Sequence, residues 1–192
     1  MKIGIDFDNT IACYTGVFYQ AALEWKLIPD SLGHSKGSVR DYLRSIGQED
    51  EWTKLQGYVY GSRMDLAEPF PGVADFFKHC KAAGITTVII SHKTKHPYIG
   101  PKYDLHEAAK QWLSTQSFSP HAAFFELTLK DKLSRIGSLK CDYFIDDLPE
   151  LLAEPIFPNS VKKILFDPLD VHPDVADVIR VTSWKQISQV IA

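Results

Sequence analysis

Residues 85–91, Ile-Thr-Thr-Val-Ile-Ile-Ser, constrain the fold more than any other stretch. β-branched side chains suit a pleated strand. A run of them without polar alternation describes a strand buried on both faces. Such a strand belongs in a mainly parallel sheet with helices packed on each side. The rest of the chain fits that reading. A short apolar stretch at 2–7, and further stretches at 122–127, 141–146, 161–166 and 178–182, predict more strands. Helical spacing lies between them. Val73, Phe76, Phe77 and Cys80 recur at i, i+3, i+4 and i+7, and Gly84 stops that helix. Leu105, Ala108, Ala109, Trp112 and Leu113 repeat the pattern, and Ser183 is placed to cap a last helix with Trp184, Ile187 and Ile191 on one face. Alternating strands and helices predict an α/β domain.

Residues 13–70 break this rhythm between the first two long strands. They contain an amphipathic helix (Phe18, Ala22, Trp25), a polar Gly/Ser stretch at 31–38, and helical segments around 39–46 and 50–60. The expected organisation is therefore a core of residues 1–12 and 71–192 with a small helical insertion at 13–70, over the carboxyl end of the sheet. Open α/β sheets bind ligands at that end.

Composition narrows the function classes. The 192 residues are 45% hydrophobic and 23% charged, an ordinary globular balance. Lys and Arg number 21 against 24 Asp and Glu, for a net charge of −3, so no overall basic excess is available for a nucleic-acid backbone. No apolar run approaches the roughly 20 residues of a membrane helix. Asp6 and Asp8 interrupt the place where a secretory signal needs its apolar segment. Cys13, Cys80 and Cys141 are scattered without CxxC spacing, which fits reduced thiols in a cytoplasm rather than disulfides or a zinc site.

The chemistry-bearing residues gather at predicted strand ends. Asp6-Phe7-Asp8-Asn9-Thr10 follows the first strand, and two carboxylates two residues apart can face one centre while Phe7 packs the other way. Alone, such a segment reads equally well as a solvated turn. Ser91 ends the second strand, Lys130 and Lys132 precede the strand at 141–146, and Asp146-Asp147 close it. Parallel strands would bring these ends together.

With these motifs, in this order over about residues 1–150, the chain resembles the haloacid dehalogenase superfamily. The resemblance implies a Rossmann-like core with a helical cap, for which 13–70 has the position and size. The Asp146-Asp147 form of the last motif, with Pro149 following, looks more like the nucleotidase-type branch. It implies a nucleophile at Asp6 that forms an aspartyl-phosphate, an acid/base at Asp8, and a catalytic lysine. Lys130 and Lys132 both fit. Lys132 is preferred because it would start a helix with Leu133 and Ile136 on its buried face, Asp131 serving as cap. Mg²⁺ would be held by Asp6, the Asp8 carbonyl and Asp146, with Asp147 beside them. Ser91 and the amides around Asn9 and Thr10 would bind phosphate oxygens. Each role has a physical basis, since an anionic ester repels a carboxylate nucleophile until cations cancel the charge.

The expected function is a Mg²⁺-dependent phosphatase for a small phosphorylated metabolite, with no nucleic-acid or membrane partner. A 5′-nucleotidase acting on nucleoside monophosphates and a non-catalytic binding module of the same fold are the alternatives. A dehalogenase releases halide and needs no leaving-group proton, so Asp8 speaks against it. The stretch from His92 to Tyr103 is locally basic through His92, Lys93, Lys95, His96 and Lys102. It reads either as a lip contacting the leaving group, with His92 and Lys130 as further substrate contacts, or as a solvated loop. Tyr14, Phe18, Trp52, Tyr58, Tyr60 and Arg63 are candidate contacts from the insertion, more of them expected in its core, and Cys13 is expected to be a buried thiol.

Overall fold

The computed structural model describes residues 1–191. In chain order the elements are β1 (Lys2–Ile5), β2 (Ala12–Cys13), α1 (Val17–Glu24), α2 (Lys36–Ser45), α3 (Glu49–Tyr60), a 3₁₀ turn at Met64–Leu66, and β3 (Glu68–Pro69). They continue with α4 (Val73–Ala82), β4 (Thr86–His92), α5 (Leu105–Thr115), β5 (Ala122–Glu126), α6 (Leu129–Ser138) and β6 (Tyr143–Asp146). The chain closes with α7 (Pro149–Leu152), β7 (Lys162–Phe166), β8 (Val178–Val181) and α8 (Trp184–Ile191). Two compact units result: Met1–Ala12, Pro69–His92 and Ser117–Ala192 form the first, and Cys13–Glu68 with Lys93–Gln116 the second.

The first unit is a Rossmann-like α/β layer structure. Its six strands run in the order β5-β4-β1-β6-β7-β8, and neighbours pair in parallel. β1 lies between β4 and β6, with Ile5 opposite Ile89 on one side and Ile145 on the other. Strand order reverses at β1, and such a switch point opens a crevice at the carboxyl ends of the strands. The motif carboxylates follow β1 and close β6, Ser91 lies near the end of β4, and Lys132 is on α6. β4 is the predicted doubly buried strand, covered from Thr87 to Ser91.

Local chemistry explains how the layers close. A Cβ on Gly4 would meet the Phe144 ring at 2.6 Å, so glycine lets β1 lie beside Phe144. Phe144, Leu133, Ile136, Leu151, Leu152 and Leu165 then fill the core on that face. In α8, Trp184, Ile187 and Ile191 are buried, and the Ser183 hydroxyl accepts from the Gln186 amide at 3.3 Å, as the sequence predicts. The start of α6 differs from expectation. The helix begins at Leu129, its cap is Thr128, whose hydroxyl accepts from the Asp131 amide, and Lys132 lies one turn inside. Asp131 accepts from the Thr128 hydroxyl instead of capping. Thr128 is the better cap because it precedes the first helical residue, where the unpaired amides begin.

The second unit holds α1–α3 and also α5 with the basic stretch before it. Phe18 packs on Trp52 at 5.2 Å and on Tyr60 at 5.6 Å, and the Trp112 indole of α5 donates to the Ala67 carbonyl at 2.7 Å. The basic stretch is packed rather than free. A Cβ on Gly57 would meet Pro97 at 2.5 Å, and one on Gly61 would meet Tyr103 at 2.5 Å. Lys93 is only 5% exposed, with its ammonium 4.7 Å from the Tyr60 ring centroid, while Lys95, His96 and Lys102 are exposed. A cleft of about 560 Å³ in this unit is lined by Met64, Asp65, Ala67, Gln111 and Trp112, none of them a motif residue.

Candidate active site

The site starts where β1 ends. The Asp6 amide donates to the Ile145 carbonyl at 2.8 Å, so the ladder with β6 continues through Asp6 and fixes its backbone. Phe7 is fully buried, edge-on to Phe125 at 5.7 Å. Asp6, just before it, reaches Lys132, and Asp8, just after it, lies close enough for its charge to act on Asp6. The chain then turns back on itself. The amides of Ile11 and Ala12 both donate to the Phe7 carbonyl at 3.0 Å, and the Asn9 amide donates to Ala12 at 2.9 Å. Asn9 has φ 58°, a left-handed conformation that Asn tolerates better than most side chains. Thr10 is fully buried, and its hydroxyl donates to Asp147 Oδ1 at 3.3 Å.

β6 supplies the other wall. Asp146, its last residue, is fully buried, and its Oδ1 accepts from the Leu148 amide at 2.9 Å. Lys132 joins the two walls: its Nζ lies 2.6 Å from Asp6 Oδ1 and 2.6 Å from Asp146 Oδ2. Only 2% of Lys132 is exposed, whereas Lys130 is exposed. Carboxylate oxygens of Asp6, Asp146 and Asp147 lie within 4.8 Å of one another.

The electrostatics follow from this crowding. Burial pushes the Asp6 carboxyl up to about 7; Lys132 opposes the rise and the Asp146 charge adds to it. Burial and the charges of Asp146 and Asp6 likewise hold Asp147 well above the usual carboxylate range. Burial alone would lower Lys132, but Asp146 and Asp6 outweigh it and hold the ammonium above its ordinary value. When ionised, the three carboxylates outnumber the one ammonium and present hard oxygen donors to a cation. That donor set fits Mg²⁺, which takes oxygen ligands and commonly one or two carboxylates.

The structure thus puts Lys132 in direct contact with Asp6 and Asp146, and sets Asp147, bonded by Thr10, within 4.8 Å of both. Ser91 is buried near the end of β4, the strand beside β1, and His92 after it is exposed. Asn9 and Asp8 are half-buried in the loop after β1. Two residues escaped the sequence reading. Asp167, at 2% exposure directly after β7, accepts from the amides of Val171 at 3.2 Å and His172 at 2.9 Å. Burial would raise its carboxyl, but those bonds and Arg180 hold it below the usual range. It shapes its own loop. A strand-end acid was its sequence signal, the same one that Asp146 gives. The second missed residue is Trp184, whose indole donates to the Thr10 carbonyl at 3.2 Å. Its periodicity marked a core residue and nothing more.

The topology is that of the haloacid dehalogenase fold, and solved structures share it. A superfamily hydrolase of subfamily IA from Geobacter sulfurreducens matches with a TM-score of 0.62 at 13% identity, over 100% of this chain and 96% of that one. The YfnB chain of Bacillus subtilis, solved bound to magnesium, matches with a TM-score of 0.55 at 11% identity, over 99% of this chain and 97% of that one. No protein-family model matches the chain. Among curated proteins, a Bacillus cereus protein named "Putative nucleotidase" is 23% identical over 207 residues, spanning 100% of this chain and 98% of the relative.

The crowded carboxylates predict a coupled response to pH and metal. The Asp6 carboxyl keeps its proton up to about 7 when folded, against 3.8 for the ordinary group. Between those values the folded state holds more protons than the unfolded chain, so stability falls as pH rises. Mg²⁺ favours the ionised carboxylates and should raise Tm more at pH 8 than at pH 5.5. Thermal melts across a Mg²⁺ series measure this, and an equal shift at both pH values would contradict metal binding at the cluster.

Proposed function

We propose that the protein is a Mg²⁺-dependent phosphatase hydrolysing a small phosphate monoester through an aspartyl-phosphate on Asp6. The observation that carries this reading is the Lys132 ammonium bridging Asp6 and Asp146 at 2.6 Å within a cluster of buried carboxylates. A carboxylate nucleophile approaching an anionic ester needs cations already in place. Lys132 is one. Asp6, Asp146 and Asp147, with the Asp8 carbonyl, would hold Mg²⁺, which when bound neutralises phosphoryl charge.

The chain's own residues account for the proton and bond changes. An Asp6 carboxylate oxygen bonds to phosphorus while the ester P–O bond breaks, and Asp8 gives its proton to the departing alkoxide. Water then attacks the same phosphorus, Asp8 takes its proton, and the acyl-phosphate P–O bond breaks to release phosphate and restore Asp6. Ser91 and the amides around Asn9 and Thr10 would bind the remaining phosphate oxygens. A pure binding module would have no use for the acid/base at Asp8. Among monoesters, the name of the B. cereus relative supports nucleoside monophosphates as the second reading. The free Cys13, Cys80 and Cys141 support a reducing cytoplasm as its place of action, and no helix among the described residues is long and apolar enough to cross a membrane.

Release of inorganic phosphate from a panel of sugar phosphates, nucleoside monophosphates and a small aryl phosphate tests the reading. Turnover of at least one ester is expected with Mg²⁺, lost in EDTA and restored by added Mg²⁺. Undiminished turnover in chelator, or halide release from a 2-haloacid without any phosphate release, would overturn it.

A further inference from the structure

Trp184 lies 174 residues from Thr10 in sequence, yet it holds the backbone of the loop after β1. It opens α8 and is 1% exposed. Its ring has little freedom. Phe76 stands edge-on at 5.0 Å and Phe166 lies at 5.8 Å. Behind it, Gly72 has φ 92°, and a Cβ there would stand 3.0 Å from the Trp184 Cβ, so only glycine is comfortable. The indole N–H is therefore aimed by packing before it meets its acceptor.

That acceptor needs it. Thr10 is fully buried, and a buried carbonyl without a donor carries a desolvation cost. The neighbouring amides are engaged elsewhere: those of Ile11 and Ala12 donate to Phe7, and that of Asn9 donates to Ala12. The same residue turns its hydroxyl to Asp147 Oδ1 at 3.3 Å. A continuous hydrogen-bonded path thus runs from the last helix, through both ends of one threonine, to a carboxylate of the cluster.

We propose that Trp184 is a positioning residue for the metal site. By holding the Thr10 carbonyl it fixes the tilt of that peptide, hence the aim of the Thr10 hydroxyl and the placement of the Asp147 oxygens relative to Asp6 and Asp146. This inference rests on reading the cluster as a Mg²⁺ site. The competing account is that Trp184 only fills the core with Phe76 and Phe166.

Trp184→Phe separates the two, because it keeps an aromatic ring in the nest and removes the N–H. Site-specific replacement by the benzothienyl analogue of tryptophan, which has nearly the same shape and no N–H, is the companion variant should phenylalanine fail to fold. Mg²⁺ and Mn²⁺ affinities of the whole protein are read by titration calorimetry, with kcat at saturating Mg²⁺ alongside. Residues that orient metal ligands typically change affinity 10–100-fold, and a loss of about tenfold is expected here, with kcat at saturating metal nearly unchanged. Thr10→Val should weaken metal binding similarly, and the double variant should be little worse than either single one, because both cut the same path. A lowered Tm with unchanged metal affinity in the shape-matched variant would assign Trp184 to packing alone, and additive losses in the cycle would break the path through Thr10. Failure of the unaltered protein to bind either metal would overturn the metal-site reading itself and this inference with it.

Discussion

Asp6→Asn is expected to abolish phosphate release while the first unit stays folded. Asparagine has nearly the shape of aspartate, and the backbone bond from the Asp6 amide to Ile145 is untouched. What is lost is the nucleophile, because an amide oxygen cannot form the acyl-phosphate that water later hydrolyses. The fold should not lose, because Lys132 gives up one carboxylate but keeps Asp146 at 2.6 Å as its counter-ion. Burial pushes the Asp6 carboxyl up to about 7, so above that pH the folded state carries an ionised group that the unfolded chain would solvate more cheaply. Removing the charge removes that penalty and relieves Asp147, whose raised pKa includes repulsion from Asp6. A thermal melt at pH 8 without metal should therefore show the variant no less stable than the parent, while a sensitive phosphate assay shows no turnover. Full turnover by well-folded Asp6→Asn protein would exclude covalent catalysis at this position.

The legible parts of the molecule are those where a local pattern has one physical solution. The β-branched run around Ile89 and Ile90 suggests a doubly buried strand, and β4 is that strand. Strand-end acids at Asp6 and Asp146 could be read because parallel pairing forces the ends of adjacent strands together. The illegible parts depend on a choice among partners. Leu105, Ala109, Trp112 and Leu113 announce a helix with one apolar face, but the spacing does not say what that face packs against. In the structure, α5 joins the second unit, where the Trp112 indole meets Ala67. The lysine pair shows the same limit from another side. Lys130 and Lys132 are interchangeable as letters, and what separates them is helix phase, fixed by a cap at Thr128 one turn before Lys132. Lys93 reads as one charge in a polar stretch, yet it is buried over Tyr60, because the glycines of α3 and its end let the stretch settle against that helix. Trp184 and Asp167 were hidden because the useful atom of each, an indole N–H and a carboxylate, acts on backbone groups, and sequence patterns record side chains.

Lys132→Met is expected to cost both stability and activity, and Lys130→Met neither. Methionine approximates the length of the lysine stem, so the contacts of α6 survive while the ammonium between Asp6 and Asp146 disappears. Two buried carboxylates are then left facing each other without their shared cation. Removing one partner of a buried ion pair costs about 3–5 kcal/mol, far more than a surface pair contributes. The loss has a signature that simple core damage lacks. Lys132 opposes the rise of the Asp6 carboxyl, so without it Asp6 should hold its proton to still higher pH, and the variant should lose stability more steeply as pH rises through neutrality. Added Mg²⁺ should recover part of the lost Tm by supplying charge to the same oxygens, without restoring the parent's turnover. Lys130 is exposed on the first turn of α6, and its replacement should stay within about 0.5 kcal/mol, the range of ordinary surface substitutions. Melts of both variants at pH 6 and pH 8, with and without Mg²⁺, together with phosphate release, measure the contrast. Equal effects from the two substitutions, or a Lys132→Met deficit independent of pH and Mg²⁺, would mean that the ammonium does not balance the carboxylate cluster.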